Sequence, residues 1–168
     1  MIRELLLSSV FALVAANMAS ASPQDQKEAL AALQPEIADY QKNCPDTKIK
    51  VDSIKDAPLT PSKNAVVIIL GESVPSFCFG NTVPAYLVTP TNGKWKVFGT
   101  WLGGVEIKPL APGQQAATII GYAAGMCHVT HLWRGNRYVA VASRDCKGFV
   151  KQRDIDATAA ELTKTVLH

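Results

Sequence analysis

The chain is 168 residues long and carries 17 Lys and Arg against 14 Asp and Glu, a formal net charge of +3. That length holds one domain, and the charge excess falls short of the clustered basic face that a nucleic-acid binder presents. The nearest approach to such a face, Arg144, Lys147, Lys151 and Arg153, is interrupted by Asp145 and Asp154 and reads as solvated surface.

The first residues resemble an export signal. Arg3 supplies a short positive region, Leu5 to Ala16 is almost wholly apolar, and Ala19-Ser20-Ala21 is the small-residue pattern that a signal peptidase cleaves. Cleavage is expected after Ala21, so that residues 1–21 form a signal peptide and residues 22–168 the mature exported domain. The apolar run is shorter than the roughly 20 residues that a spanning helix needs, and no later segment is longer, so no transmembrane segment is expected in the mature protein. A periplasmic or secreted location follows from the same reading. Cysteine usage agrees with it: all four cysteines, Cys44, Cys78, Cys127 and Cys146, lie beyond residue 21, and an even count in an exported chain points to two disulfides. No two of them form a CxxC pair, which removes the main support for thioredoxin-like or zinc-ribbon chemistry.

Ser22-Pro23-Gln24-Asp25 is a helix-start signature, with a serine cap, a proline at the first helical position and an acid three residues after the cap. Leu30, Leu33, Ile37 and Tyr40 continue at helical spacing to about Asn43, with Pro35 marking either a kink or the start of a second short helix. Between Pro45 and Asn64 only Ile49, Val51 and Ile54 suggest a short edge strand. Ala65 to Leu70, AVVIIL, is a strand buried on both faces, closed by Gly71. Ala85 to Thr89 and Lys94 to Trp101 flank Asn92-Gly93 and form the clearest hairpin in the chain. Val105 to Leu110 and Thr118 to Tyr122 are further strands, with a bulge expected at Gly121.

The segment Gly125 to Cys146, GMCHVTHLWRGNRYVAVASRDC, has two β-rich arms about Gly135-Asn136 and one cysteine in each arm. With those two residues as the loop, Arg134 faces Arg137, and Cys127 is the diagonal neighbour of Cys146. A Cys127–Cys146 bridge is then within reach if the turn lengthens or a bulge shifts the register, leaving Cys44 for Cys78; the rival pairing joins Cys44 to Cys146 and Cys78 to Cys127. Phe77 and Phe79 around Cys78 suggest a disulfide in a small core, with Gly80-Asn81 as a turn. Asp154 is expected to cap a last helix bearing Ala159, Leu162 and Val166. The fold class is therefore α+β: an antiparallel β-meander with an N-terminal helix and a short C-terminal helix, stapled by disulfides.

No catalytic set assembles from the sequence. Cys127, His128 and His131 crowd together, but on a strand His128 and His131 point to opposite faces, and His168 is terminal. Gly71-Glu72-Ser73 lacks the second glycine of a nucleophile elbow. No metal site and no cofactor are expected. The aromatic residues are more suggestive, because Trp95, Trp101, Trp133 and Tyr138 lie on or near hairpins, where they pack across strands or form a recognition face. Tyr86 and Tyr122 share that ambiguity. The expected function is a small exported, non-enzymatic binding module for an envelope protein or a glycan, acting through Trp95, Trp101, Trp133 and Tyr138. The alternative is a small periplasmic hydrolase or metal-dependent enzyme that uses His128 or His131 with a carboxylate. A third reading, a module packed on another envelope protein, would be favoured by an exposed apolar patch.

Overall fold

The structure is a computed structural model that describes residues 20–74, 78–79, 82–122, 127–146, 148 and 150–167. Nearly all of the expected signal peptide lies outside the described residues, as do Ser76, Phe77, Gly80, Asn81, Gly125, Lys147 and His168.

Helix α1 (Pro23–Asn43) begins as its sequence dictates. The Asp25 amide donates to Ser22 Oγ at 3.1 Å and the Ser22 amide donates to Asp25 Oδ2 at 2.8 Å, a reciprocal capping box with Pro23 behind it. The Ser22 hydroxyl, which donates to Asp25 Oδ2 at 2.8 Å, and then the Ser22 amide hold the Asp25 carboxyl below its usual range. The helix runs through Pro35, where it loses one backbone bond. A proline inside an isolated helix costs about 3 kcal/mol. Here Ala29 and Leu33, both fully buried, keep the helix seated on the sheet.

The antiparallel meander is divided into two four-stranded sheets. Sheet A takes β1 (Ile49–Pro58), β2 (Asn64–Glu72), β3 (Pro84–Thr91) and β4 (Lys94–Leu102) in that order; sheet B takes β5 (Val105–Ile107), β6 (Ile119–Tyr122), β7 (His128–Trp133) and β8 (Tyr138–Ala142). Helix α2 (Gln152–Leu167) follows, starting two residues before the expected cap, so that Asp154 lies inside its first turn. Strand β2 is covered on both faces, as its unbroken apolar run requires. Val66, Ile68 and Leu70 pack with Ala29 and Leu33 of α1, whereas Ala65 and Val67 pack with Ile119 and Tyr138 of sheet B and Leu162 of α2.

Two bulges control which side chains reach which core. In β1, Val51 pairs with Leu70 and Ser53 with Ile69, which leaves Asp52 as the extra residue. The extra step keeps both Val51 and Ile54 on the α1 side despite their odd spacing, and it makes β1 a ten-residue strand where only a short one was expected. In β4, Gly99 pairs with Leu87 and Val97 with Val88, so Phe98 is the extra residue. Trp95 and Val97 therefore face α1, while Trp101 faces sheet B and α2.

The turns follow their chemistry. Asn92 and Gly93 have φ of 52° and 72°, the left-handed pair of a tight hairpin turn. Gly135 has φ 74° at the centre of a turn closed by the Asn136 amide donating to Arg134 O at 2.9 Å. Beyond it the β7–β8 register, from Trp133↔Tyr138 to Val129↔Ala142, is the one expected for a Gly135-Asn136 loop. It does not shift. A 3-10 turn at Arg144–Cys146 instead bends the chain back, and the Cys127–Cys146 bridge closes at a Cα separation of 4.5 Å. The second bridge joins Cys44 at the end of α1 to Cys78, with Cα atoms 5.9 Å apart. Glu72 Oε2 accepts the Cys78 amide at 2.6 Å and Ser73 Oγ accepts the Lys48 amide at 2.8 Å, so the residues of the incomplete elbow pin this loop.

The chain-entropy view of crosslinks gives a quantitative expectation. The bridges span 34 and 19 residues, for which loop closure contributes roughly 3.8 and 3.2 kcal/mol. Replacing both partners of either bridge with serine is expected to destabilise the protein by about 3–4 kcal/mol, with C44S/C78S the more damaging pair. Guanidinium unfolding under oxidising conditions measures the difference, and equal stability of wild type and both double variants would refute it.

Candidate functional site

The four aromatic residues singled out in the sequence do not form one face. Trp95 lies half-buried among the residues packed under α1. Trp133 and Tyr138 meet edge to face at 5.2 Å across the β7–β8 turn, with Trp133 Nε1 donating to Gln115 Oε1 at 3.2 Å and the Tyr138 hydroxyl to Ala117 O at 2.8 Å. Tyr138 is thereby packed and fully bonded, and burial pushes its hydroxyl pKa far above the usual range. Tyr86 is buried beneath α1, and Tyr122 lies on the outer face of sheet B, where its hydroxyl donates to Glu106 Oε2 at 3.1 Å.

Trp101 is different. Its half-buried indole crosses from β4 to β6 and lies directly on Gly121: a Cβ built on that glycine would sit 1.9 Å from Trp101 Nε1. The six-membered ring passes over Gly99, whose Cβ position is 3.1 Å from Trp101 Cη2. Gly121 is therefore no bulge; β6 pairs regularly with β5 and β7, and the glycine is required by the close approach of an indole.

Beside this indole is a cleft of about 190 Å³ between β4, β6, β7 and α2. Trp101, Gly121, Val129 and Ile155 form apolar walls, and Thr100, His131, Asp154 and Thr158 bring polar atoms. A second hollow of about 410 Å³ runs along α2 towards Glu161 and shares Thr100, Trp101 and Thr158 with the first. Trp101 thus stands at the junction of a groove between β4 and α2. Helix periodicity places Asp154 and Thr158 one turn apart, and the Thr158 hydroxyl donates back to Asp154 O at 2.9 Å. A further hollow of about 470 Å³ between α2 and β8 has Arg137, Tyr138, Asp156 and Thr163 in its lining; Thr163 Oγ1 accepts the Tyr138 amide at 2.8 Å and Asp156 Oδ1 accepts from Gln152 Nε2 at 2.8 Å.

His131 is the unsatisfied group of the cleft. It is 1% exposed, and neither Nδ1 nor Nε2 has a hydrogen-bond partner among the described residues. Burial holds its pKa below the usual range; the neighbouring Ile119 backbone opposes that shift without meeting hydrogen-bond geometry. The imidazole is therefore neutral at pH 7, with one bare and one protonated nitrogen. His128, on the opposite face of β7 as strand periodicity requires, is half-buried beside Tyr122 at a ring separation of 6.1 Å. Among the described residues neither imidazole is paired with a carboxylate, and no group of three or more His, Cys, Asp or Glu is placed to hold a metal ion.

Of these residues the sequence singles out Trp101 and His131, but not their place in the lining of one cleft. Gly121, Asp154 and Thr158 were missed as site residues. The one signal is a glycine inside a strand pattern, which from the sequence alone reads as a bulge. No family model, curated protein or solved structure matches the chain.

Two expectations follow. G121A places a methyl where the indole lies, so it is expected to displace Trp101 and cost about 1–3 kcal/mol, with a red-shifted tryptophan emission. Unchanged emission and unfolding midpoint would show that the contact is slack. For His131, the folded pKa lies below the unfolded one, so its neutral form is fully compatible with folding above about pH 6.5, and stability declines as pH falls from there towards the folded value. Asp25 and Glu106, held below their usual carboxyl range, contribute a separate loss only at lower pH. Thermal unfolding between pH 7.5 and 5 is expected to show this decline in wild type and a flatter profile in H131F.

Proposed function

We propose that the protein is an exported binding module whose recognition site is the groove between β4 and α2, centred on Trp101. The observation that carries the reading is the indole itself: a half-buried tryptophan, seated on Gly121, at the junction of two hollows. A large, rigid aromatic surface with few side-chain torsions to lose is the kind of anchor that dominates binding energy. Export is supported by the leader-like first 21 residues and by two disulfides, Cys44–Cys78 and Cys127–Cys146. No helix among the described residues is long and apolar enough to cross a membrane. Partners of the expected kind are an envelope protein or a glycan. The hydrolase alternative has less behind it, because general acid–base work needs an imidazole held by a partner in reach of substrate, and His131 has none among the described residues.

The test compares wild type, W101A and W95A, a control on the opposite side of sheet A. Each is mixed with purified insoluble envelope glycan and, separately, with immobilised envelope membrane protein, and the bound fraction is measured. W101A is expected to bind at least tenfold more weakly to one of the two, with W95A unchanged. Equal retention of all three proteins, or retention of none on either matrix, would remove the support for a Trp101-centred site.

A further inference from the structure

We infer that the open edge of β8, where it borders the hollow beside α2, is a docking site for an extended segment of a partner protein. That segment adds to sheet B as a fifth, antiparallel strand, with a basic residue towards Asp156 and a carboxylate towards Arg137. The site is separate from the Trp101 groove and stands whether or not that groove binds.

Among the described residues the two sheets have four edges, and three of them are guarded. Strand β1 carries Lys50, Asp52, Lys55 and Asp56 and a bulge, and β4 carries Lys94, Lys96 and a bulge. Strand β5 is three residues long and holds Glu106, which pairs with Lys108. Charges, bulges and shortness are the devices that stop a sheet from pairing with another chain. Strand β8 has none of them: from Tyr138 to Ala142 it carries no charge, no proline and no bulge, and Val139 and Val141 are 36% and 55% exposed. An unguarded edge in a chain that guards the others is an edge kept for pairing.

The backbone of β8 is in the right phase. The Arg134 amide donates to Arg137 O and the Ser143 amide to His128 O, both at 2.8 Å, so odd-numbered residues of this strand turn their backbone groups towards β7, and Tyr138, Ala140 and Ala142 turn theirs outward. The Tyr138 amide accordingly leaves the sheet to reach Thr163 Oγ1 at 2.8 Å. Next to that bond lies the hollow of about 470 Å³, with Ala140 in its lining. The Ala140 methyl packs inward, and among the described residues its outward amide and carbonyl have no partner, so they offer an incoming strand two ladder bonds. Ala159 and Ala160 on the α2 wall are small enough to leave room for that strand's side chains. Packing then sets the polarity. Thr163 lies beside Tyr138, and Ile155 packs with Ala140 and Ala142, so α2 runs antiparallel to β8 and Arg137 and Asp156 stand at opposite ends of the hollow. An antiparallel strand enters at Asp156 and leaves at Arg137, which places its basic residue first and its carboxylate last. The Thr163 bond also brings α2 in front of the edge at Tyr138. A second copy, with the same helix in front of its own β8, is held off by it, whereas a lone extended segment enters the hollow.

The experiment pans a display library of random eight-residue peptides on the oxidised protein. Enriched peptides are synthesised, titrated by fluorescence anisotropy and, at saturation, followed by amide hydrogen exchange. Enrichment is expected for alternating β-branched residues with a basic residue before them and an acidic one after, and bound peptide should slow exchange at the Ala140 amide at least tenfold. A140P removes that donor at an edge position, where a strand accepts proline, and should weaken binding at least tenfold. R137E leaves the edge intact and should turn the preference at the last position from acidic to basic, a switch that a damaged fold would not produce; it decides alone should A140P fail to fold. Absence of any enriched peptide, an unchanged preference in R137E, or protection that leaves Ala140 untouched overturns the assignment. So does a wild-type dimer in light scattering that A140P renders monomeric, which would give the edge to a second copy. Failure of the groove reading shows separately, in the W101A comparison on envelope glycan and envelope protein.

Discussion

Strand β2 imposes the architecture, because both of its faces are apolar and both must be kept from water. A helix suffices for one face, and α1 supplies it with Ala29 and Leu33. The other face meets a broader cover made of sheet B and α2, with Ile119, Tyr138 and Leu162 closing over Val67 and Leu87. Burial of each large apolar side chain in these layers contributes roughly 1.5–3 kcal/mol. The two disulfides fall at the ends of the covers. Cys44–Cys78 fastens the C-terminal end of α1 near the end of β2, and Cys127–Cys146 fastens the start of β7 to the turn that leads into α2. The position of α2 over β4, and with it the groove, is a consequence of covering β2.

Within that frame a single extra residue decides what the groove contains. Without the bulge at Phe98, Trp95 and Trp101, six residues apart, would share a face of β4. With it, one tryptophan joins the core under α1 and the other is delivered to the gap between the sheets, where only a glycine opposite can receive it. Gly71 plays a similar part at the other bulge. The Asp52 carboxylate lies where a Cβ on Gly71 would be, 2.7 Å from its Cγ, and pairs with Lys50 at 3.1 Å. Both glycines admit a side chain that a bulge has redirected.

What the sequence disclosed and what it hid divide along the range of the interaction. The Ser22 cap, the Asn92-Gly93 turn, the β7–β8 register and the opposite facing of His128 and His131 depend on neighbours a few residues apart or across one short loop, and each was legible. The Cys127–Cys146 bridge forms with the register unshifted, by way of a 3-10 turn that carries no strong local signal, so the hairpin alone left the two disulfide pairings open. The division of the meander into two sheets is a packing decision, since the strand period is the same in one sheet or two. Bulges were hidden for a related reason: Asp52 and Phe98 are ordinary strand residues until their partners are known. The candidate site was least legible of all. Its parts come from β4, β6, β7 and α2, and the feature that marks it, a buried imidazole without a hydrogen-bond partner among the described residues, exists only once the strands have closed around it.

An unsatisfied buried nitrogen is a cost, typically about 1–3 kcal/mol for each group, against a total stability of about 5–15 kcal/mol for a domain of this kind. A chain relying on its core alone would have little margin for it. The two bridges supply that margin, since each contributes about as much as an orphaned nitrogen or two takes away. Burial also holds the His131 imidazole in its uncharged form, the form that the apolar packing around it tolerates.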